Sequence, residues 1–244
     1  MEATTRTSFP FATYLRQVAA VGCAAVVAGA LVAFPGGRIV MRVLAVLNPE
    51  DTGQTTDDGF FVGRITMDGS GQLLLAAVQF SLLGAVIFLL VRPLLLGPQW
   101  LRTATLAVGV GTTAAALLVS ADSFDFVALE PHWLPIALFW LLPVVHVVVF
   151  ATLAEHWLAD DSWFRRGPLT SVRWTLLVWL LGGVALVLVV PLLAVALAGV
   201  LLLWRFPPSA STGSAALWAG RAGLVVIFVG AVVDLANDTQ RLVG

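Results

Sequence analysis

Long apolar stretches separated by short polar joints dominate the hydrophobic pattern of this chain. A bilayer hydrocarbon core of ~30 Å is crossed by a helix of about 20 residues. Five stretches have about that length, and the pattern predicts a transmembrane helix in each: Tyr14 to Phe34, Gln72 to Leu90, Thr103 to Ser120, Leu134 to Leu153 and Ala215 to Val233.

A sixth apolar stretch, Val172 to Trp204, is longer than the others. As one helix it would measure ~50 Å, which is long for one perpendicular crossing and barely enough for two with a turn. Its interior holds Gly182, Gly183 and Pro191 but no charged or strongly polar turn residue, so one kinked helix is favoured over two crossings. The sequence therefore predicts an all-α integral membrane protein, residues 1–244 forming one bundle of six transmembrane helices. Seven helices are the alternative.

Composition supports this class. Hydrophobic residues make up 59% of the chain and charged residues 11%, whereas an ordinary soluble domain has roughly 25% charged residues. The first stretch is interpreted as a retained signal anchor, because its apolar part is longer than the ~7–15 residues of a signal peptide. The lone Cys23 is interpreted as a small packing residue. The lipid bilayer is the expected partner, and no nucleic acid is expected.

The arginines predict the orientation, since the chain has no lysine. Cytoplasmic loops of membrane proteins carry an excess of basic residues. An N-terminus inside the cell gives the larger number of arginines there, which predicts that both termini are cytoplasmic. The predicted inner arginines are Arg6, Arg16, Arg92, Arg102, Arg165, Arg166, Arg173 and Arg241, and the predicted outer ones are Arg38, Arg42, Arg64 and Arg205.

The segment 36–71 is predicted to form an outer cap with a short interfacial helix. Pro35 and the glycine pair after it should break the first helix. A new short helix would then place Arg38 and Arg42 on one face at phosphate level. Turn signals at Asn48-Pro49 and further Asp-Gly pairs predict an ordered cap beyond it, with a solvated loop as the alternative.

Arg38 and Arg42 are candidate ligands for an anionic lipid headgroup or substrate, because a guanidinium group binds such groups through two hydrogen bonds. The favoured interpretation is that both side chains only anchor a helix end at the interface.

His146 is the deepest ionisable side chain, and Gln79, Ser81, Thr112 and Thr113 are predicted at similar depth. Polar groups inside a membrane are costly unless paired. The cluster could carry a proton or bind a ligand, or His146 could be a neutral group bonded between helices. Arg221, near the predicted outer end of the last helix, could be buried between helices and paired with an acid such as Asp122 or Asp125.

Cofactor and metal sites are not expected. His132, His146 and His156 all belong to the fourth predicted helix or its ends, ~21 and ~15 Å apart along it, so no two can face each other across one haem. The acids at 122, 125 and 130 match no metal-ligand spacing, and a solvated acidic loop is favoured there.

Three segments resemble uncharacterised polytopic inner-membrane proteins of high-GC bacteria: Gly37 to Pro49, Gly59 to Thr66 and Asp122 to Trp133. The resemblance covers about the first two thirds of the chain. It implies a location in the bacterial inner membrane and carries no activity.

The favoured function is that of a non-enzymatic accessory or structural membrane protein, with a membrane protein partner or a second copy of the chain. The alternative is a carrier of a small or lipidic substrate, which would use His146, Gln79, Arg38 and Arg42. A lipid-modifying enzyme is the second alternative, and it requires Asp122, Asp125 and His132 to converge with those two arginines.

Overall fold

The computed structural model describes residues 11–56, 61–168 and 210–243, together with Arg173 and Thr175. Five helices in this part of the chain are long and apolar enough to cross a membrane, and they cover the five plainly predicted stretches. The predicted helix at 172–204 lies outside the described residues, apart from Arg173 and Thr175. The α-helices are Phe11–Ala28 (α1), Phe34–Leu47 (α2), Met67–Val91 (α3), Gln99–Leu118 (α4), Phe124–Val127 (α5), Trp133–Leu158 (α6), Trp163–Arg166 (α7) and Ala210–Val243 (α8).

The predicted break at Pro35 is wrong. A π-helical turn, Gly29–Ala33, joins α1 to α2, so residues Ala12–Leu47 form one unbroken helical rod. Proline lacks an N–H group and its ring collides with the carbonyl four residues earlier. The wider π turn accommodates it, with the Phe34 N–H donating to the Gly29 carbonyl five residues back. The expected separate interfacial helix does not exist, and Arg38 and Arg42 lie near the end of this rod.

The core is built around α1, which packs between α3 and α6, while α4 packs on α6 and α8 packs on α4. Small side chains let neighbouring backbones approach closely. Phe88 of α3 meets Phe150 of α6 edge to face, with ring centroids 5.3 Å apart. The buried face of α1 is formed by Ala19, Ala20, Val21, Ala24, Ala25 and Ala28.

The two ends of the bundle differ. One, called here the Arg92 end, holds the start of α1, the end of α3, the start of α4 and the end of α6. The other, called the cap end, holds the end of α2, the start of α3 and the segments 48–56 and 61–66. These two segments meet, with the Val62 N–H donating to the Gln54 carbonyl at 2.9 Å. Val62 is fully buried. The turn predicted at Asp58-Gly59 lies outside the described residues.

The Asn48 side chain links two segments at the cap end through hydrogen bonds. Its side chain is buried, and its Nδ2 donates to the Leu44 carbonyl at 2.9 Å. Its Oδ1 accepts from the Glu130 backbone N–H at 2.7 Å. One amide therefore joins the end of α2 to the segment that precedes α6.

The last helix runs in the direction opposite to the prediction. The Arg221 Nε donates to the Leu94 carbonyl at the Arg92 end, at 3.0 Å. Further along α8, Leu235 and Leu242 pack against a cluster at the cap end formed by Val119, Phe126 and Ile136. The start of α1 and the end of α8 therefore lie at opposite ends of the bundle, whereas the sequence predicted both termini on one side.

Candidate functional site

The most concentrated charge chemistry lies at the Arg92 end. Arg92 directly follows α3, and Glu155 lies in the last turn of α6. The Arg92 Nε and Nη2 donate to Glu155 Oε1 and Oε2, each at 2.8 Å. The Arg92 side chain is 35% exposed and that of Glu155 13%. Such a two-point ion pair fixes both the position and the orientation of the guanidinium plane.

Arg102 stands beside this pair. The short connection between α3 and α4 turns at Gly97, whose φ of 91° suits glycine. It returns the chain so that Arg102, in the first turn of α4, lines the same recess as Arg92 and Glu155. The Arg102 Nε is buried and has no hydrogen-bond partner among the described residues.

A cavity of about 230 Å³ opens next to these arginines. Gln17 of α1 contributes a carboxamide, and the two arginines contribute guanidinium N–H groups. The rest of the wall is apolar. This combination can receive a group that bears hydrogen-bond acceptors and negative charge at one side and hydrocarbon at the other. The lining residues are Gln17, Leu89, Arg92, Pro93, Arg102 and Leu158.

Arg16 has a structural task nearby. Its Nη1 lies 2.8 to 2.9 Å from three carbonyl oxygens, those of Phe164, Arg165 and Gly167. These carbonyls surround the end of the short helix α7, where backbone oxygens lack helical partners. Arg16 therefore docks α7 against the start of α1.

His146 is brought together with Ser81, as the polar cluster hypothesis required. The Ser81 hydroxyl donates to the Ala77 carbonyl at 2.6 Å. Its oxygen also lies 3.2 Å from His146 Nε2, in a hydrogen bond whose direction follows the imidazole tautomer. The contact joins α3 to α6 near the middle of both helices.

The other members of the predicted cluster do not join His146 through hydrogen bonds. Thr112 accepts a hydrogen bond from Trp140 Nε1 at 3.2 Å, which ties α4 to α6. Thr113 donates to the Gly109 carbonyl of its own helix at 2.8 Å. Gln79 is partly buried and makes no hydrogen bond to a described residue.

The three candidate arginines, Arg38, Arg42 and Arg221, do not form one site. Arg38 Nη2 donates to Ser70 Oγ at 2.8 Å, while Arg42 is exposed and has no ion-pair partner among the described residues. Arg221 does not pair with Asp122 or Asp125, because α8 places it against Leu94, with its guanidinium group 5.1 Å from the ring centroid of Trp218.

The residues around the cavity were missed by sequence analysis, which treated Arg92 and Arg102 only as topology signals. Their clue was available: Arg92 and Glu155 each stand at the end of an apolar stretch on the same predicted side. The sequence does not indicate which helix ends are neighbours. Within the described ranges, no three His, Cys, Asp or Glu side chains group as a metal site would require.

Comparison of the chain with protein-family models, with the curated proteins and with the solved structures finds no match.

Proposed function

We propose that this chain is a multi-pass membrane protein that works without catalysis, as an accessory or structural component of a bacterial inner membrane. One observation carries the proposal: polar side chains midway along the apolar helices are used to join helices. His146 bonds to Ser81 and Trp140 bonds to Thr112. Interhelical hydrogen bonds of this kind stabilise a bundle in lipid, where water cannot replace them.

We further propose that the Arg92 end faces the cytoplasm. Among the described residues whose contacts or positions assign them to one end, six arginines lie at the Arg92 end and four at the cap end. This is the distribution that favours a cytoplasmic Arg92 end. The six are Arg16, Arg92, Arg102, Arg165, Arg166 and Arg221, and the four are Arg38, Arg42, Arg64 and Arg241.

An accessory role is tested by native mass spectrometry of the full chain released gently from its own membrane. The expected result is a second polypeptide, or a second copy of the chain, at a fixed ratio. Release of the chain as a single polypeptide, with no partner and no second copy in any mild detergent, would contradict the proposal.

A carrier of a small or lipidic substrate is the second candidate, and the cavity at the Arg92 end favours it. The cavity is not lined by His146, Gln79, Arg38 or Arg42, the residues on which the sequence hypothesis rested. Reconstituted vesicles with a fluorescent anionic lipid in one leaflet separate the two functions. A carrier would accelerate the exchange of that lipid between leaflets, and an accessory protein would leave the rate of empty vesicles unchanged.

A further inference from the structure

The cavity at the Arg92 end has an unbalanced charge. Glu155 holds Arg92 through two hydrogen bonds, so that guanidinium group is already neutralised. Arg102 makes no ion pair within the described part of the chain, although it lines the same cavity. The described side chains that line it therefore carry one uncompensated positive charge next to apolar surface.

Arg102 also has an unused donor. Its Nε is buried from solvent and lacks a hydrogen-bond partner among the described residues. A buried donor without an acceptor is unfavourable, and an acceptor bound in the cavity would remove this cost once the Arg102 side chain turns its Nε–H toward it. The Gln17 carboxamide, which lines the same cavity, makes no hydrogen bond to a described residue either. Two donors from different helices thus border the same space.

The position of the cavity selects among anions. In a bundle that crosses a membrane, as proposed above, the ends of α3 and α6 reach headgroup level, and basic pockets between helices on the cytoplasmic side suit phospholipid headgroups. Guanidinium groups match the geometry of phosphate oxygens. Leu89, Pro93 and Leu158 offer apolar surface to the hydrocarbon side of such a molecule.

We infer that this cavity binds the phosphate group of an anionic phospholipid, with Arg102 as the charged ligand and Gln17 as a second donor. Glu155 acts as a positioning residue, since it fixes Arg92 and limits the positive charge of the cavity. A soluble phosphate ester would present the same chemistry to the same atoms, and the experiment must separate the two sources.

The test is native mass spectrometry of the full chain with added phosphatidylglycerol, and separately with inorganic phosphate and glycerol phosphate. Arg102→Gln removes the proposed ligand. Arg166→Gln is the matched control, because Arg166 lies at the same end, is exposed, and its side chain hydrogen-bonds to the Asp160 carbonyl and to no other described residue. Arg102→Gln should lower lipid retention about tenfold or more, equivalent to at least 1.4 kcal/mol, whereas Arg166→Gln should retain as much lipid as the unmodified chain.

Thermal unfolding in detergent shows whether the variant is folded. Added phosphatidylglycerol should raise the Tm of the unmodified chain, as any ligand of the folded state does. Without lipid, Arg102→Gln should have a Tm similar to that of the unmodified chain. Added phosphatidylglycerol should leave the Tm of Arg102→Gln unchanged. Arg102-dependent retention of glycerol phosphate, with no preference for the lipid, would support the phosphate site but assign it to a soluble ligand. Equal lipid retention by Arg102→Gln and the unmodified chain would overturn the inference.

Discussion

Arg92 and Glu155 lie 63 residues apart in the chain and meet in a two-point ion pair at one end of the bundle, with both N–O distances at 2.8 Å. The pair joins the end of α3 to the last turn of α6. It also sets the charge of the adjoining cavity, since it leaves Arg102 as the cation without an acidic partner among the described residues.

Glu155→Gln should have two opposite effects. Loss of the ion pair should lower the free energy of unfolding by about 1–2 kcal/mol, less than for a fully buried pair because solvent reaches Arg92. The freed charge of Arg92 should increase retention of phosphatidylglycerol in native mass spectrometry. Asp160→Asn is the control, because its pair with Arg165 leaves the Asp160 side chain 89% exposed, and it should change neither quantity. If lipid retention does not rise in Glu155→Gln, the charge of Arg92 does not contribute to lipid binding in the cavity.

Ser81→Ala should destabilise the bundle. The variant removes the hydroxyl that hydrogen-bonds to His146 Nε2, and interhelical hydrogen bonds in membranes contribute about 0.6–1.7 kcal/mol. Unfolding in mixed detergent micelles measures the loss. Thr152→Ala is the matched control, since the Thr152 hydroxyl bonds only to the Val148 carbonyl of its own helix and is exposed. Equal stability of the two variants would show that the Ser81 contact contributes nothing.

Gly29→Ala should be destabilising, while Gly84→Ala should be neutral or stabilising. A Cβ at position 29 would lie 2.8 Å from Ser81 Oγ and 2.9 Å from the Ala77 carbonyl oxygen. Backbone would have to move, at about 1–3 kcal/mol. A Cβ at position 84 meets no atom within 4 Å, and alanine favours a helix by roughly 0.5–1 kcal/mol over glycine. Thermal unfolding measures the Tm of both variants, and the Tm of Gly29→Ala should be the lower. A lower Tm for Gly84→Ala would contradict the close approach of the π turn to α3.

Asn48→Ala should loosen the cap end. It removes the acceptor of the Glu130 N–H and the donor to the Leu44 carbonyl, which should cost about 1–3 kcal/mol. Hydrogen exchange should speed up at the Glu130 amide and in the segment that precedes α6. Gln54→Ala removes an exposed amide that bonds only to Asp51 through its side chain, and exchange at Glu130 should then stay unchanged. Full protection of Glu130 in Asn48→Ala would show that another contact holds this segment.

The helices were predictable because lipid imposes a length and an apolar composition on each of them. The five described stretches are helical with ends within a few residues of the prediction, except where the first helix continues to Leu47 and the last to Val243. Pro35 misled the prediction because the π turn that absorbs it forms against α3, where Gly29 meets Ser81. No local pattern in the sequence reports that contact.

The neighbours of each polar group were less predictable than its depth. Depth placed His146 and Ser81 together, but it also suggested Thr112, which bonds to Trp140 instead. Likewise, the direction of α8 was predicted by counting helices across residues 172–204. In the structure, the direction of α8 follows from the contact of Arg221 with Leu94. Counting apolar residues along the sequence cannot predict this contact.

The most direct measurement labels single cysteines with a membrane-impermeant maleimide on intact and on permeabilised cells. In a Cys23→Ser background, the exposed positions Glu50 and Asn237 at the cap end and Asp161 at the Arg92 end are each replaced by cysteine. The account predicts that Glu50→Cys and Asn237→Cys react on intact cells, and that Asp161→Cys reacts only after permeabilisation. Labelling of Asp161→Cys on intact cells would contradict a membrane-crossing bundle whose Arg92 end faces the cytoplasm, and protection of Asn237→Cys alone would contradict the direction of α8.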